Sequence, residues 1–162
     1  MCWDLKSSST PVQSEIEDAL RQAYDLPVEK LGSFTIASGT FDSARQQFPA
    51  GKVLDQVRRL ALKGKYCLAV VDVDLYAPGR DFVFGQASQL DLAAIVSLSR
   101  LKGDQLIPRM RTEVVHEVGH LLGLDHCSSH DCVMFFSNSI SDTDRKGELL
   151  CTECKRRLHE RL

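Results

Sequence analysis

The sequence lacks any apolar run approaching the roughly 20 residues that a helix needs to cross a bilayer. It also lacks an excess of charge of one sign, since 20 Lys and Arg oppose 22 Asp and Glu for a formal net charge of −2. No overall field therefore attracts nucleic acid or an anionic membrane. Internal repeats, low-complexity tracts and long linkers are missing as well. These absences predict one domain, residues 1–162, a monomer with neither a membrane nor nucleic acid as partner.

A secretory signal is not apparent either, because Asp4 stands where a signal peptide carries basic charge and no apolar run follows. We therefore expect a cytoplasmic protein, whose thiols stay reduced. Of six cysteines, Cys2 and Cys67 stand alone, whereas the other four form two close pairs. These four are Cys127, Cys132, Cys151 and Cys154. Disulfides in a secreted domain are the alternative, but in a reducing compartment metal ligation explains the pairs better.

The most informative segment reads His-Glu-Val-Gly-His-Leu-Leu-Gly-Leu-Asp-His. On a helix, His116 and His120 leave the same face one turn apart, so both can bind one metal ion. Glu117 lies beside that position, where a carboxylate can act as general base on a zinc-bound water. Gly123 tolerates positive φ, so the chain can turn there and bring in His126 as a third ligand. Three histidines with an open fourth position predict a catalytic zinc site.

The cysteine pairs follow this segment directly, and each pair is joined by a short loop, as in tetrahedral four-cysteine zinc sites. The whole pattern is His116-Glu117-x-x-His120-x-x-Gly123-x-x-His126-Cys127-x4-Cys132-x-Met134-x16-Cys151-x-x-Cys154. It resembles the archaemetzincins, a metzincin family of zinc peptidases. The family's last spacer is usually one residue longer, a difference that a loop can absorb.

The resemblance implies a zinc metallopeptidase that cleaves peptides or proteins and carries two zinc ions, one catalytic and one structural. It further implies that Met134 forms a hydrophobic floor beneath the histidines. In some metzincins a Tyr two residues after this methionine stabilises the oxyanion, but here the position is Phe136. A donor must then come from elsewhere, and Tyr76 is one candidate.

Periodicity predicts an α/β fold. The predicted helices are residues 12–24, 52–63 and 107–122, and the predicted strands are 33–37, 66–73, 82–87 and 93–98. By the resemblance, a mixed sheet supports the active-site helix in an N-terminal subdomain, residues 1–123, and a small subdomain, residues 124–162, holds the structural zinc. Strand 66–73 is almost wholly apolar, which is typical of burial on both faces. Segment 82–87 is either the edge strand that binds substrate, which Gly85 would suit, or an ordinary central strand.

Other polar residues allow two interpretations each. His130 is an alternative ligand or an exposed loop residue, and Asp125 is either a carboxylate that orients a ligand or a turn residue. Asp72 and Asp74 form an acid/base pair or simply end a strand. His159 fits an exposed helix face.

Two other functions remain open at this point. A zinc-stabilised binding or regulatory protein with little catalysis would have the same ligands. A purely structural two-zinc module would also have them, but it leaves the presence of Glu117 unexplained.

Overall fold

Two apolar strands that are neighbours in the sheet form the centre of the molecule. In the computed structural model, which describes residues 2–4 and 10–161, they are β4 (Cys67–Val71) and β8 (Ala93–Ser97), paired in parallel. Every side chain of both is buried, with alternate residues in two separate hydrophobic clusters. The predicted burial on both faces is therefore confirmed for residues 67–71, whereas Tyr66 and Asp72 at the two ends of the predicted strand are exposed.

The strands belong to two sheets rather than to one. The first has the order β2 (Gly32–Ser33), β1 (Cys2–Asp4), β4, β8 and β7 (Gly85–Ser88); β7 runs antiparallel to β8 and the other pairs are parallel. The second consists of β3 (Phe48–Pro49), β5 (Leu75–Ala77) and β6 (Arg80–Val83). The sequence did not predict β1, β3 or β5, because strands of two or three residues are too short to show a period.

Helices cover both faces of the larger sheet. Helices α1 (Thr10–Tyr24) and α3 (Leu106–Leu121) pack on one face, and α2 (Ala50–Arg58) packs on the other. The segment after α3 adds α4 (Ile140–Arg145) and α5 (Thr152–His159). Its buried Val133 and Leu158 share the cluster of α1 and α3, so this segment packs on the main core. Within the described residues, no helix has the length and apolar character to span a bilayer.

Two predicted elements were too long. Helix 52–63 ends at Arg58, since Leu60 and Leu62 are 39% and 49% exposed and offer no buried face to prolong it. Of strand 33–37 only Ser33 pairs with a neighbour, while Phe34 and Ile36 pack into the cluster around α2. In segment 33–37 the apolar residues are thus packed as predicted but mostly lie outside a strand, whereas in segment 52–63 the helix and its buried face end before Leu60.

The prediction of one strand over residues 82–87 is also wrong. The chain bends at Phe84, so that Val83 pairs with β5 in the small sheet and Gly85 pairs with β8 in the large one. Alternation of side chains reveals a strand's faces but not its partner, so the change of sheet is invisible in the sequence. The part that enters the large sheet, β7, does lie at its edge, as one of the two interpretations expected.

Candidate active site

Helix α3 presents one polar face to a cavity of about 400 Å³. Positions 113, 116, 117 and 120 lie three or four residues apart and therefore share this face. They place Glu113, His116, Glu117 and His120 along one wall of the cavity. Residues 79–87, from the turn before β6 into β7, form a second part of the wall, and His126, residues 136–138 and Lys146 complete the lining.

The three predicted histidine ligands converge in this cavity. Nε2 of His116 lies 3.1 Å from Nε2 of His120, and the ring of His126 stands 5.3 and 4.7 Å from their ring centres. One ring nitrogen from each lies within 4.8 Å of the others. Zn–N bonds of about 2.0–2.1 Å in a tetrahedron require nitrogens about 3.3 Å apart, so the donor set fits a zinc ion.

Backbone carbonyls orient two of these rings. Nδ1 of His116 lies 2.8 Å from the carbonyl oxygen of Val133, and Nδ1 of His120 lies 2.7 Å from that of Leu124. A carbonyl can only accept, so each Nδ1 carries the proton and each Nε2 keeps its lone pair for a metal. The group that orients His120 is therefore the carbonyl of Leu124 and not Asp125. The side chain of Asp125 is exposed, in the segment that follows the helix, as expected for a turn residue.

Burial also favours the neutral imidazoles that a metal requires. Desolvation lowers the pKa of His116 well below 6.5, and it lowers the pKa of His120 and His126 as well. The positive charge of Lys146 acts in the same direction on all three pKa values. At neutral pH the three imidazoles are therefore uncharged, which is the form that binds a metal cation.

The turn that carries His126 into place depends on Gly123. Its φ is +86°, as predicted for a residue that ends the helix by a sharp turn. A Cβ atom at this position would also lie 2.6 Å from Nη1 of Arg161. The positive φ favours glycine here, whereas the end of the Arg161 side chain could move aside for a Cβ atom.

Glu117 is buried against the edge strand. A Cβ atom on Gly85 would lie 2.6 Å from Cγ and 2.7 Å from Oε1 of Glu117. Burial, followed by the charge of Glu113, raises the pKa of Glu117 to about 8, while Lys146 opposes the shift. The close approach expected at Gly85 is thus an approach to the candidate general base.

Gly85→Ala is expected to reduce peptidase activity by at least tenfold and to shift β7 against β8, while the zinc ligands themselves are unchanged. The new methyl group overlaps Glu117 and the carbonyl oxygen of Ile95, 2.6 Å away, so the carboxylate has to move. Steady-state cleavage with elemental analysis measures this, and Gly51→Ala, where nothing lies within 4 Å of the new Cβ, is the control. Equal activities of the two variants would contradict the packing argument.

Sequence reasoning missed the buried ion pair beside Glu117. Nζ of Lys146 lies 3.0 Å from Oε1 of Glu113, and the two side chains are 0% and 3% exposed. Glu113 also accepts a hydrogen bond of 3.1 Å from the hydroxyl of Thr143. The four-residue spacing from Glu113 to Glu117 could have shown that both share a face, but no local pattern marks Lys146.

The four predicted cysteines form a second cluster. Their sulfur atoms all lie within 4.8 Å of one another, and Sγ of Cys127 is 3.9 Å from Sγ of Cys151. A tetrahedral zinc with Zn–S bonds of about 2.3 Å needs sulfurs about 3.8 Å apart, so this set also fits zinc. The backbone N–H of Cys154 lowers the pKa of Cys151 to about 7, which favours the thiolate. His130 lies outside the cluster, exposed beside the ring of Phe135.

The two clusters share one segment of backbone. The carbonyl of Val133 holds His116, while the N–H of the same residue donates to Leu149 at 2.9 Å. The N–H of Cys127 donates to the carbonyl of Met134, also at 2.9 Å. Met134 is buried and packs against Gly119 in the turn between His116 and His120, a position that suits a floor beneath the histidines.

Tyr76 is not placed to act as the missing donor. Its hydroxyl donates to Asp42 at 2.8 Å, and the residue is not among those that line the cavity. Asp72 and Asp74 also lie outside the cavity, where they pair with Lys102 and Arg100 at the end of β4. His159 is exposed on α5. Phe136 does line the cavity, with its ring 4.8 Å from that of His126.

Comparison with known proteins agrees with this arrangement. The model of peptidase family M54 matches residues 5–160. The archaemetzincin of Natronomonas pharaonis is 36% identical over 159 residues, covering 91% of each chain.

Two solved structures share the fold. The crystal structure of an archaemetzincin from Methanopyrus kandleri has a TM-score of 0.90 at 30% identity and covers 99% of this chain and 93% of that one. A zinc-dependent peptidase from Methanocorpusculum labreanum has a TM-score of 0.83 at 32% identity over 97% of both chains. The resemblance seen in the motif thus extends over nearly the whole fold, and the chain belongs to peptidase family M54, the archaemetzincins, a family of zinc metallopeptidases.

Proposed function

We propose that this cleft hydrolyses peptide bonds, with Glu117 as general base and with zinc held by His116, His120 and His126. The observation that carries the proposal is the convergence of three imidazoles on one point directly beside a buried carboxylate. A zinc ion held by these imidazoles would supply the Lewis acid for water activation and for polarisation of the substrate carbonyl. Glu117 is the residue that would accept a proton from the attacking water and return it to the leaving amine.

The edge strand supplies the substrate site in this proposal. β7 pairs only with β8 among the described strands, so its other side offers backbone N–H and C=O groups to an extended peptide. Residues 85–87 of β7 line the cavity with Glu117, which brings such a peptide close to the base. Peptides or proteins in extended conformation are therefore the proposed substrates.

A second zinc ion is proposed for the four cysteines, giving two per chain. It would join the loop of residues 127–132 to the start of α5 and so stabilise a C-terminal subdomain of residues 124–162. Through Val133, the same segment also holds His116 in its orientation. The cytoplasmic location and the monomeric state remain predictions from the sequence.

Glu117→Gln tests the proposal. We expect kcat to fall by roughly 10²–10⁴-fold, because the amide cannot accept the proton, while elemental analysis still finds two zinc ions per chain. Cleavage of a mixed peptide library, followed by mass spectrometry, is the assay, and Glu17→Gln on α1 is a control outside the cleft. Undiminished cleavage by the Glu117 variant would remove this residue from the mechanism.

One observation favours a second function, a zinc-stabilised binding protein with little catalysis. Phe136 stands where a hydroxyl could stabilise the oxyanion, and Tyr76 is occupied with Asp42. Under this alternative the wild-type protein binds peptides but cleaves none of the library, even with full zinc content. The same assay therefore decides between the two.

A further inference from the structure

Arg80 is the exposed cation on the wall of the cleft. It begins β6 and lines the same cavity as the polar face of α3. Lys146 also lines the cavity, but it is wholly buried and paired with Glu113. Arg80 is therefore the cationic side chain that a bound peptide can reach from solvent.

Two residues hold the guanidinium in a defined place. Its carbon lies 4.6 Å from the ring centre of Phe136, and Nη1 donates a 3.1 Å hydrogen bond to the amide oxygen of Asn138. Such stacking suits arginine because its planar group is weakly hydrated. The position is next to the zinc site, since the ring of Phe136 lies 4.8 Å from that of His126. The charge of Arg80 accordingly helps to lower the pKa of His126.

No carboxylate of the described residues lies within ion-pair distance of Arg80. The neighbouring Asp81 has a fully exposed side chain and approaches Arg45 instead, at 3.9 Å. Asn138 uses one of the five N–H donors of the guanidinium, so several stay free for a ligand. A planar cation with free donors is the group that binds a carboxylate in bidentate geometry.

We propose that Arg80 selects substrates carrying a carboxylate one or two residues from the cleaved bond, either an acidic side chain or the C-terminal carboxylate. This inference rests on the proposed peptidase function. An extended peptide advances about 3.3 Å per residue, so a position next to the bond under attack reaches the wall beside His126. Arg80 is then a specificity residue, and Phe136 and Asn138 are the groups that position it.

The test compares matched peptides with wild type, Arg80→Ala and Arg80→Glu. One pair carries Glu or Gln beside the cleavage site, and a second pair ends near that site in a free acid or an amide. With wild type we expect the carboxylate member of at least one pair to have a kcat/KM about tenfold to hundredfold higher, mainly through KM. Arg80→Ala removes the preference, and Arg80→Glu transfers it to a Lys-containing peptide. The pair that shows the effect identifies the source of the carboxylate.

Arg59→Ala, an exposed arginine of the segment after α2, is the matched control and should keep the wild-type preference. If Arg80 only braces the loop of residues 136–138, Arg80→Ala slows all peptides equally, which overturns the inference. Binding of the same peptides to zinc-loaded Glu117→Gln, with and without Arg80→Ala, is measured by calorimetry. A carboxylate preference in binding supports the role of Arg80 even where no peptide is cleaved, so the two proposals can fail separately.

Discussion

Cys151→Ser is expected to destabilise the protein severely, by at least about 4 kcal/mol, or roughly 8–16 °C in Tm for a domain of this size. The serine hydroxyl is a poor ligand for zinc, and the remaining three sulfurs belong to two chain segments that the ion would otherwise join. Apparent binding free energies of structural zinc are about 10–16 kcal/mol in small zinc domains. Losing even part of that binding free energy is therefore large against a typical free energy of unfolding of about 5–15 kcal/mol. Thermal unfolding with elemental analysis measures both effects.

His126→Ala is the matched comparison, because it removes one ligand from the other cluster. Because His126 is one of the three candidate zinc ligands in the cleft, its loss should abolish activity and reduce the zinc content toward one ion. Because the imidazole is exposed, we expect Tm to fall much less than in Cys151→Ser. The N–H of Cys151 donates to Sγ of Cys132 at 3.4 Å, so residue 151 holds the cysteine cluster together by its backbone as well. Equal losses of Tm in the two variants would contradict the division into a structural and a catalytic site.

Lys146→Met is expected to cost about 3–5 kcal/mol of folding stability, the usual penalty for removing one partner of a buried ion pair. Methionine fills a similar volume, but it leaves Glu113 buried one helical turn from Glu117 without its ion-pair partner. Denaturant unfolding at neutral pH gives the free energy, and cleavage assays give the accompanying loss of activity.

The double variant Lys146→Met with Glu113→Gln isolates the charge effect. Because it removes both charges, it should be more stable than Lys146→Met alone. Lys102→Met breaks an exposed pair with Asp72 and should change stability far less. If the double variant is no more stable than the single one, packing rather than charge accounts for the loss.

Much of the candidate site could be predicted because its parts are close in sequence. His116, Glu117 and His120 share a helix face by spacing alone, and the φ of +86° at Gly123 is what a chain must adopt to bring His126 back. Burial of residues 67–71 and 93–98 likewise follows from apolar composition. In each case the physical cause acts over a few residues, within the range that periodicity and turn preferences describe.

Tertiary structure decided the rest. The split of residues 82–87 between two sheets depends on which strands they meet, and Lys146 reaches Glu113 from a segment 33 residues further along the chain. Arg80 and His126, 46 residues apart in the chain, both contact the ring of Phe136. The sequence by itself predicted the candidate ligands and the candidate base, since these depend on residue type and local spacing. Long-range pairing determined the charges and the edge strand around them, because a contact between distant segments leaves no periodic trace in either one.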